Sequence, residues 1–482
     1  MAGGTWSPTE GKVRPGFYMR FLAAALAQIQ AGPRGIVAIP VKANWGPVKE
    51  IVEITSEKEL LNAYNDDVSG NFSAYTSIRL TLLGKPQKIL GYRLVDGNES
   101  TASITLKDTA ATPADVLTLT TKYPTERSFN VTVRDNLVDS NKKDIVLYEG
   151  TKKLYTFTFA KGAGIVDNAV DAINNNTDNK WLTATKVVSG NDTLADIANQ
   201  DLTGGNAGAA AVANSEYIDA MATFEARKFN AFTLDGMTDS TLQTSVKSWV
   251  ERLRNEGKGI TAYLGGSETD DQDITTGNSR STGFNFEGVI NVGVSAVLDG
   301  VTYSSAMVAC WAAGKASGQA LKESLTYATT PFDDVKPRLT DSEIKSALQS
   351  GTLVLVHDGE KVVVEQGINT LTSLSADQND AWKKIKSIRI MDAINSDMSD
   401  TAHDDYIGKI INNEDGQKAF LSAAKVYFET LSPTLISDDF AVQTDPELQP
   451  LAAGDEYYWR WDAKLIDSME KIFGTGNVRY GG

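Results

Sequence analysis

The spacing of hydrophobic and polar positions changes several times along this chain, and each change marks a different kind of structure. Near the N-terminus, Lys12-Val-Arg-Pro-Gly-Phe-Tyr-Met-Arg-Phe21 puts Val13, Phe17, Met19 and Phe21 on one side of an extended segment, because strand side chains alternate between faces. Gly35-Ile-Val-Ala-Ile39 predicts a short apolar strand, Ser56-Glu-Lys-Glu59 has capping-box spacing ahead of Leu60 and Leu61, and Lys88-Ile-Leu-Gly-Tyr-Arg-Leu-Val95 predicts a second strand. From about residue 98 to 201 the texture differs. Ser103-Ile-Thr-Leu, Val116-Leu-Thr-Leu-Thr, Phe129-Asn-Val-Thr-Val, Ile145-Val-Leu-Tyr and Leu154-Tyr-Thr-Phe-Thr-Phe are short Thr-rich alternating runs between polar turns. They predict a small antiparallel sandwich, with one helix over 165–173.

After the Gly-rich junction 202–208 an α/β pattern resumes. Tyr217, Met221 and Phe224 share one helix face, a strand starts at Ala231, and Leu242, Val246, Trp249 and Leu253 stripe a second helix. Strands over 259–264 and 288–294 follow, then a helix of small residues over 304–313. Such alternation implies a mostly parallel sheet covered on both faces, so the sandwich reads as an insertion into one α/β domain. From 351 onward, Leu353-Val-Leu-Val and Lys361-Val-Val-Val flank Asp358-Gly359, a hairpin signal. Helices over 380–395 and 415–431 and strands near Asp439 and Tyr458 complete an α+β region.

The C-terminal end alternates again, with Trp459, Trp461 and Leu465 on one side of Tyr457-Tyr-Trp-Arg-Trp-Asp-Ala-Lys-Leu465 and then Met469, Ile472 and Phe473 in Asp467-Ser-Met-Glu-Lys-Ile-Phe473. Disordered tails are poor in such residues, and an extended segment can add to another sheet's edge, so both ends read as strands that have partners. The resulting divisions are an N-terminal arm over 1–21, an α/β domain over 22–97 and 202–350, the inserted sandwich over 98–201, an α+β domain over 351–465 and a C-terminal arm over 466–482.

Composition narrows the function more by exclusion. The net charge is −16, from 62 acidic and 46 basic residues with no basic run to track phosphates, so nucleic acid and anionic membranes are not expected as direct partners. No run of 18 apolar residues is available to span a bilayer, and the first twenty residues hold no apolar signal core, so synthesis and folding in the cytoplasm is the expectation. The single cysteine, Cys310, lies in Ala306-Met-Val-Ala-Cys-Trp311 and reads as part of a buried helix face.

The catalytic motifs are missing. Only two histidines occur, His357 beside the expected hairpin turn and His403 in an acidic stretch; both read as solvated surface residues outside the α/β domain. Gly-x-Ser-x-Gly does not occur, and Gly84-Lys85, Gly257-Lys258 and Gly314-Lys315 all fail the spacing of a phosphate-binding loop. Asn413, Asp415 and Gly416 resemble the middle of a calcium loop, but its first and last ligand positions would be Ile411 and Ser422. Asp270, Asp271 and Asp273 sit in a polar Gly/Thr-rich loop and are expected to be solvated. No catalytic residue, cofactor or metal is expected.

The order of these parts resembles a contractile tail sheath protein of a bacteriophage or phage-tail-like particle, of the type found in Gram-positive phages and defective prophages. Met1-Ala-Gly-Gly-Thr-Trp6 with Lys12-Val-Arg-Pro-Gly-Phe-Tyr18 is similar to the start of such proteins, while Arg389-Ile-Met-Asp-Ala-Ile-Asn-Ser-Asp397, Tyr406-Ile-Gly-Lys409 and Asn412-Asn-Glu-Asp-Gly416 are similar to their C-terminal domain. Asp467-Ser-Met-Glu-Lys-Ile-Phe473 resembles the family's terminal strand, here followed by Gly474-Thr-Gly-Asn before Val478. The resemblance implies an α/β domain like that of subtilisin-like proteases but without proteolysis, an inserted antiparallel β-sandwich, a C-terminal α+β domain and extended N- and C-terminal arms. It also implies copies of the same chain as principal partner, in stacked hexameric rings around a tail tube protein, with baseplate and tail terminator proteins at the ends. The implied location is the tail of a virion or headless particle, assembled in the bacterial cytoplasm. On the residues alone, a surface adhesion or surface-layer module built on the Thr-rich sandwich is the alternative, and it would need export.

Overall fold

In the computed structural model, residues 34–479 are described, together with Ile29, Gly32 and the short strands Gly3–Gly4 and Phe17–Tyr18. A seven-stranded sheet forms the centre, in the order Thr352–Leu353, Val289–Val292, Thr261–Gly265, Ala231–Thr233, Ile36–Val41, Lys88–Arg93, Ile51–Ile54. Every neighbouring pair is parallel except Ile51–Ile54, which runs antiparallel along one edge. The strands are apolar on both sides because both faces are covered. Val37, Ile39 and Val41 enter a core with Leu60, Ile78, Val308 and Trp311, whereas Ile36 and Ala38 enter a second core with Phe224, Val246 and Trp249.

The helix Ser305–Gly318 lies against Ala74–Leu83 at very short range. Its small residues make that possible: a Cβ on Gly314 would stand 2.1 Å from the Thr81 carbonyl oxygen. The helix Glu57–Tyr64 starts as the sequence indicates, with Ser56 accepting from the Glu59 amide. The Glu59 carboxylate, however, accepts from the Thr55 amide at 2.7 Å, one residue further out than a simple capping box.

The insertion is a sandwich of a four-stranded sheet, Lys152–Ala160, Lys142–Glu149, Phe129–Asp135 and Ile197–Asp201, and a three-stranded sheet, Leu182–Lys186, Asp115–Thr121 and Ser103–Lys107. The helix Ile165–Asn174 closes its core through Ile165, Val166, Ala169 and Ile173. Arg93, at the end of a central strand, fixes the seat of the sandwich. It is fully buried and donates to the carbonyls of Gly46 at 2.8 Å, Pro124 at 2.9 Å and Ala207 at 2.9 Å, one on the α/β side and one on each connection.

Three local readings of the sequence are corrected. The hairpin Leu355–His357 with Val362–Val364 forms as expected, but Thr352–Leu353 is the edge strand of the central sheet, and Leu355, Val362 and Val364 join the α/β core and not the last region. A hairpin signal encodes a turn and does not say which core receives its side chains. The polar stretch around Asp271 is not a loop: Asp273 caps a helix, Ile274–Phe284. Asp271 itself is buried, not solvated.

The last region packs the helices Ile385–Thr401 and Glu414–Leu431 with a two-stranded sheet, Ala441–Thr444 against Trp459–Asp462. Ile390, Ile394, Met398, Tyr427 and Phe428 form its core.

Candidate assembly surfaces

In open α/β sheets the ligand position is the crevice at the carboxyl ends of the strands where the order reverses. Here that point lies between Ile36–Val41 and Ala231–Thr233, and its buried polar side chains bond to one another. Asp235 accepts from Lys42 Nζ at 2.7 Å and from Tyr217 Oη at 2.7 Å, and Ser73 donates to the same carboxylate. Burial, together with the Asp235 carboxylate, pushes the Tyr217 hydroxyl far above its ordinary range, so it stays a neutral donor.

A serine beside a carboxylate does occur, at the start of the helix Ser305–Gly318. Asp271 accepts from the Ser305 amide at 2.6 Å, Ser305 Oγ at 2.5 Å and Ser295 Oγ at 2.6 Å. Burial raises the Asp271 carboxyl, against the pull of those bonds. All three groups are buried, and the arrangement caps the start of the helix. The histidines are elsewhere: His357 Nδ1 accepts from the Gly359 amide at 3.1 Å, and His403 Nδ1 lies 2.8 Å from the Ser399 carbonyl. Cys310 is buried as the sequence indicates, and burial pushes its thiol up to about 12, which leaves it unreactive. Among the described residues no group of acidic, histidine or cysteine side chains could hold a metal, and no helix is long and apolar enough to cross a membrane.

The unfinished surfaces are at the ends of the chain. The sheet of Ala441–Thr444 and Trp459–Asp462 has two strands only, so among the described residues both outer edges present unpaired backbone groups. Trp459 and Trp461, candidates for an arm on sequence grounds, point inward. Trp461 lies 5.1 Å from Phe428 and Trp459 lies 5.2 Å from Phe420, ring centre to ring centre. Leu465 makes one antiparallel bridge to Ile436. Beyond it, Met469, Ile472 and Phe473 are 82%, 79% and 92% exposed, so a run of apolar side chains stands in water. At the other end, Phe17–Tyr18 pairs in parallel with Gly3–Gly4, while Val13, Met19 and Phe21 lie outside the described residues. Sequence reasoning missed two carboxylates, Asp397 and Glu470. Each is bonded to groups remote in the chain, and no local motif marks them.

The α/β body, the seated sandwich and a C-terminal sheet whose outer edges are unpaired among the described residues are the parts that the family comparisons identify. The chain's family is the phage tail sheath. The Phage tail sheath protein central domain matches 210–370, the Phage tail sheath C-terminal domain 377–479, the Phage tail sheath protein beta-sandwich domain 95–207 and the Tail sheath protein Gp18 domain III N-terminal region 34–69. The chain therefore belongs to the phage tail sheath proteins and is a contractile tail sheath subunit, a structural protein and not an enzyme. Among its relatives, the Phage-like element PBSX protein XkdK of Bacillus subtilis is 27% identical over 83% of this chain and 82% of its own length. The crystal structure of the sheath tail protein from Desulfitobacterium hafniense is 26% identical with a TM-score of 0.71, covering 94% of this chain and all of that one. The helical sheath of the anti-feeding prophage in its contracted state shares the fold alone, at 12% identity and a TM-score of 0.54 over 97% of this chain and 99% of that one.

Proposed function

We propose that this subunit polymerises with copies of itself as stacked hexameric rings around a tail tube protein, and that the sheath contracts to drive the tube through a target envelope. The assignment to a tail sheath of a phage or phage-like particle carries the tube, the baseplate and the tail terminator as further partners, with assembly in the bacterial cytoplasm before release. In this reading residues 1–21 and 466–482 are linking arms, 22–97 with 202–350 and the hairpin up to Val364 form the subtilisin-like but non-proteolytic α/β domain, 98–201 the sandwich and the rest of 351–465 the C-terminal domain. The arms of neighbouring subunits complete the two-stranded sheet of Ala441–Thr444 and Trp459–Asp462 from its two free edges.

The observation that carries the reading is the pairing of needs in one chain: among the described residues, a sheet with two open edges and an exposed apolar segment, Met469 to Phe473. Covering Ile472 and Phe473 in a neighbour returns about 1.5–3 kcal/mol for each side chain fully buried. Donor and acceptor lie on the same chain at different places, so the contact is heterologous and propagates instead of closing a dimer. Ladder bonds between backbones tolerate reorientation of the bodies they join, which suits a sheath whose subunits rotate during contraction. The stored free energy resides in a kinetically trapped packing, so no nucleotide is required.

Deletion of residues 1–20 tests the reading. The expected product is folded and soluble and forms no tubes in negative-stain electron microscopy, whereas the full chain does. Contractile tubes from the truncated chain would overturn the arm assignment.

A further inference from the structure

Chain beside each arm is fastened at one helix, Ile385–Thr401, with Gly32 and Arg34 near its end and residues 467–470 at its start. At its start, the N-cap residue Lys384 forms an ion pair with Glu470 and lies 3.5 Å from Asp467, and Lys386 Nζ donates to Ser468 Oγ at 3.2 Å. Thr326 Oγ1 and Gln366 Nε2 also donate to the Glu470 carboxylate, at 2.6 and 2.9 Å. The Glu470 side chain is only 10% exposed, between neighbours that stand in solvent. Near the other end of the helix, the Asp397 carboxylate, 1% exposed, accepts from the Gly32 amide at 2.8 Å and Tyr427 Oη at 2.6 Å and forms an ion pair with Arg34.

Between these two clasps the helix is fastened to the α/β body. Arg254 grips Asp392 with two bonds, at 2.7 and 2.9 Å. Asn395 Nδ2 donates to the Gly257 carbonyl at 2.8 Å, and Arg389 donates to the Gln319 carbonyl at 2.5 Å. A helix of 17 residues is about 25 Å long and stiff on that scale. Past Glu470 the restraint ends: among the described residues no backbone-to-backbone hydrogen bond involves 467–479, and a Cβ on Gly474 or Gly476 would meet nothing.

We propose that the helix Ile385–Thr401 is a tension-bearing strut to which Asp397 and Glu470 clasp the roots of the N- and C-terminal arms, so that the C-terminal arm bends beyond Glu470, at Gly474 and Gly476. The inference rests on the linking-arm reading. A pull on the N-terminal arm is taken up at Asp397 and passed through the Arg254–Asp392 contact to the α/β body, while a pull on the C-terminal arm reaches that body through Thr326 and Gln366 as well as through the start of the helix, which spares the two-stranded sheet that receives neighbouring arms. Asp397 and Glu470 are positioning residues here, since each sets where an arm starts.

Single-molecule pulling on the unassembled full chain, with one handle at each terminus, tests this. In the wild type the clasps are expected to hold until the body unfolds. Glu470→Gln should add an earlier event at lower force, releasing the roughly four residues over 467–470, or about 14 Å of extended chain, up to the backbone bond of the Ile466 amide. Arg34→Ala should add a corresponding early event at the N-terminal root, and as a half-exposed change it avoids the folding risk of altering Asp397. Identical force traces for all three proteins would overturn the strut. Because the measurement uses monomers, it is independent of polymerisation: tubes that form without the arms would defeat the linking reading while leaving the traces unchanged.

Discussion

The seven-stranded and the two-stranded sheet treat exposed backbone in opposite ways. The larger one ends on one side in a strand of two residues, Thr352–Leu353, and on the other in the antiparallel Ile51–Ile54, with helices over both faces. Short and covered edges are how a sheet avoids pairing with strangers. The smaller one exposes both edges, and two strands alone are marginal in water; it stands because Trp459 and Trp461 pack on the helix Glu414–Leu431. In the proposed reading the first is complete in itself and the second is completed by neighbours in the polymer. Buried internal contacts also tie together the side chains at the larger sheet's switch point and at the start of the helix Ser305–Gly318.

Core truncations probe this contrast most strongly. Phe232→Ala in the α/β core and Phe428→Ala in the C-terminal core should each cost about 3–5 kcal/mol. The first should lower the main urea transition, and the second should melt the C-terminal region ahead of it, as read by hydrogen exchange. A single shared transition for both would mean that the two halves fold as one unit. Next in size, Arg93→Met leaves three carbonyls unpaired, at about 1–3 kcal/mol for each one that water does not reach. It should expose the two connections beside Pro124 and Ala207 to proteases while leaving the sandwich core folded. An unchanged digestion pattern would show that Arg93 does not seat the sandwich.

A smaller effect is expected from pH. Burial works to raise the Glu470 carboxyl, but bonds from Lys384, Thr326 and Gln366 win and hold it below its ordinary 4.5. Lys386 and Asp467 face the same clasp. A carboxyl lowered in the folded state adds stability above its unfolded pKa and loses it as pH falls through the folded value. Protection factors over 463–466, which allow for the slower intrinsic exchange in acid, should therefore fall on acidification below 4.5 in the wild type and not in Glu470→Gln. The smallest change in monomer stability belongs to Ile472→Ser with Phe473→Ser, within about 0.5 kcal/mol because both side chains are exposed. The same pair should weaken tube formation severely, as read by sedimentation; unimpaired tubes would remove these side chains from the interface.

The parallel sheet, the inserted sandwich and the C-terminal α+β region were legible in the sequence because each buries side chains at its own period. The helix Ile274–Phe284 was not, since Gly277, Asn278 and Ser281 face inward where an apolar stripe would be expected. These residues bond inward instead: Asn291 Nδ2 donates to Ser281 Oγ at 2.7 Å, and Ser281 and Thr352 share a hydroxyl pair at 2.8 Å. Asp271 was misread for a related reason, because composition around a carboxylate does not reveal a helix start folded over it. At the candidate surfaces the apolar pattern of Met469, Ile472 and Phe473 was visible, but the clasps were not. Asp397 and the Gly32 amide it holds are 365 positions apart, beyond any local pattern.

Hydrogen exchange on assembled tubes against free subunits tests the linking arms most directly. The expected result is slow exchange, in tubes only, over 441–444, 459–462 and 471–479, as free edges gain ladder partners. Equal exchange over these segments in tubes and in free subunits would contradict assembly by strand addition.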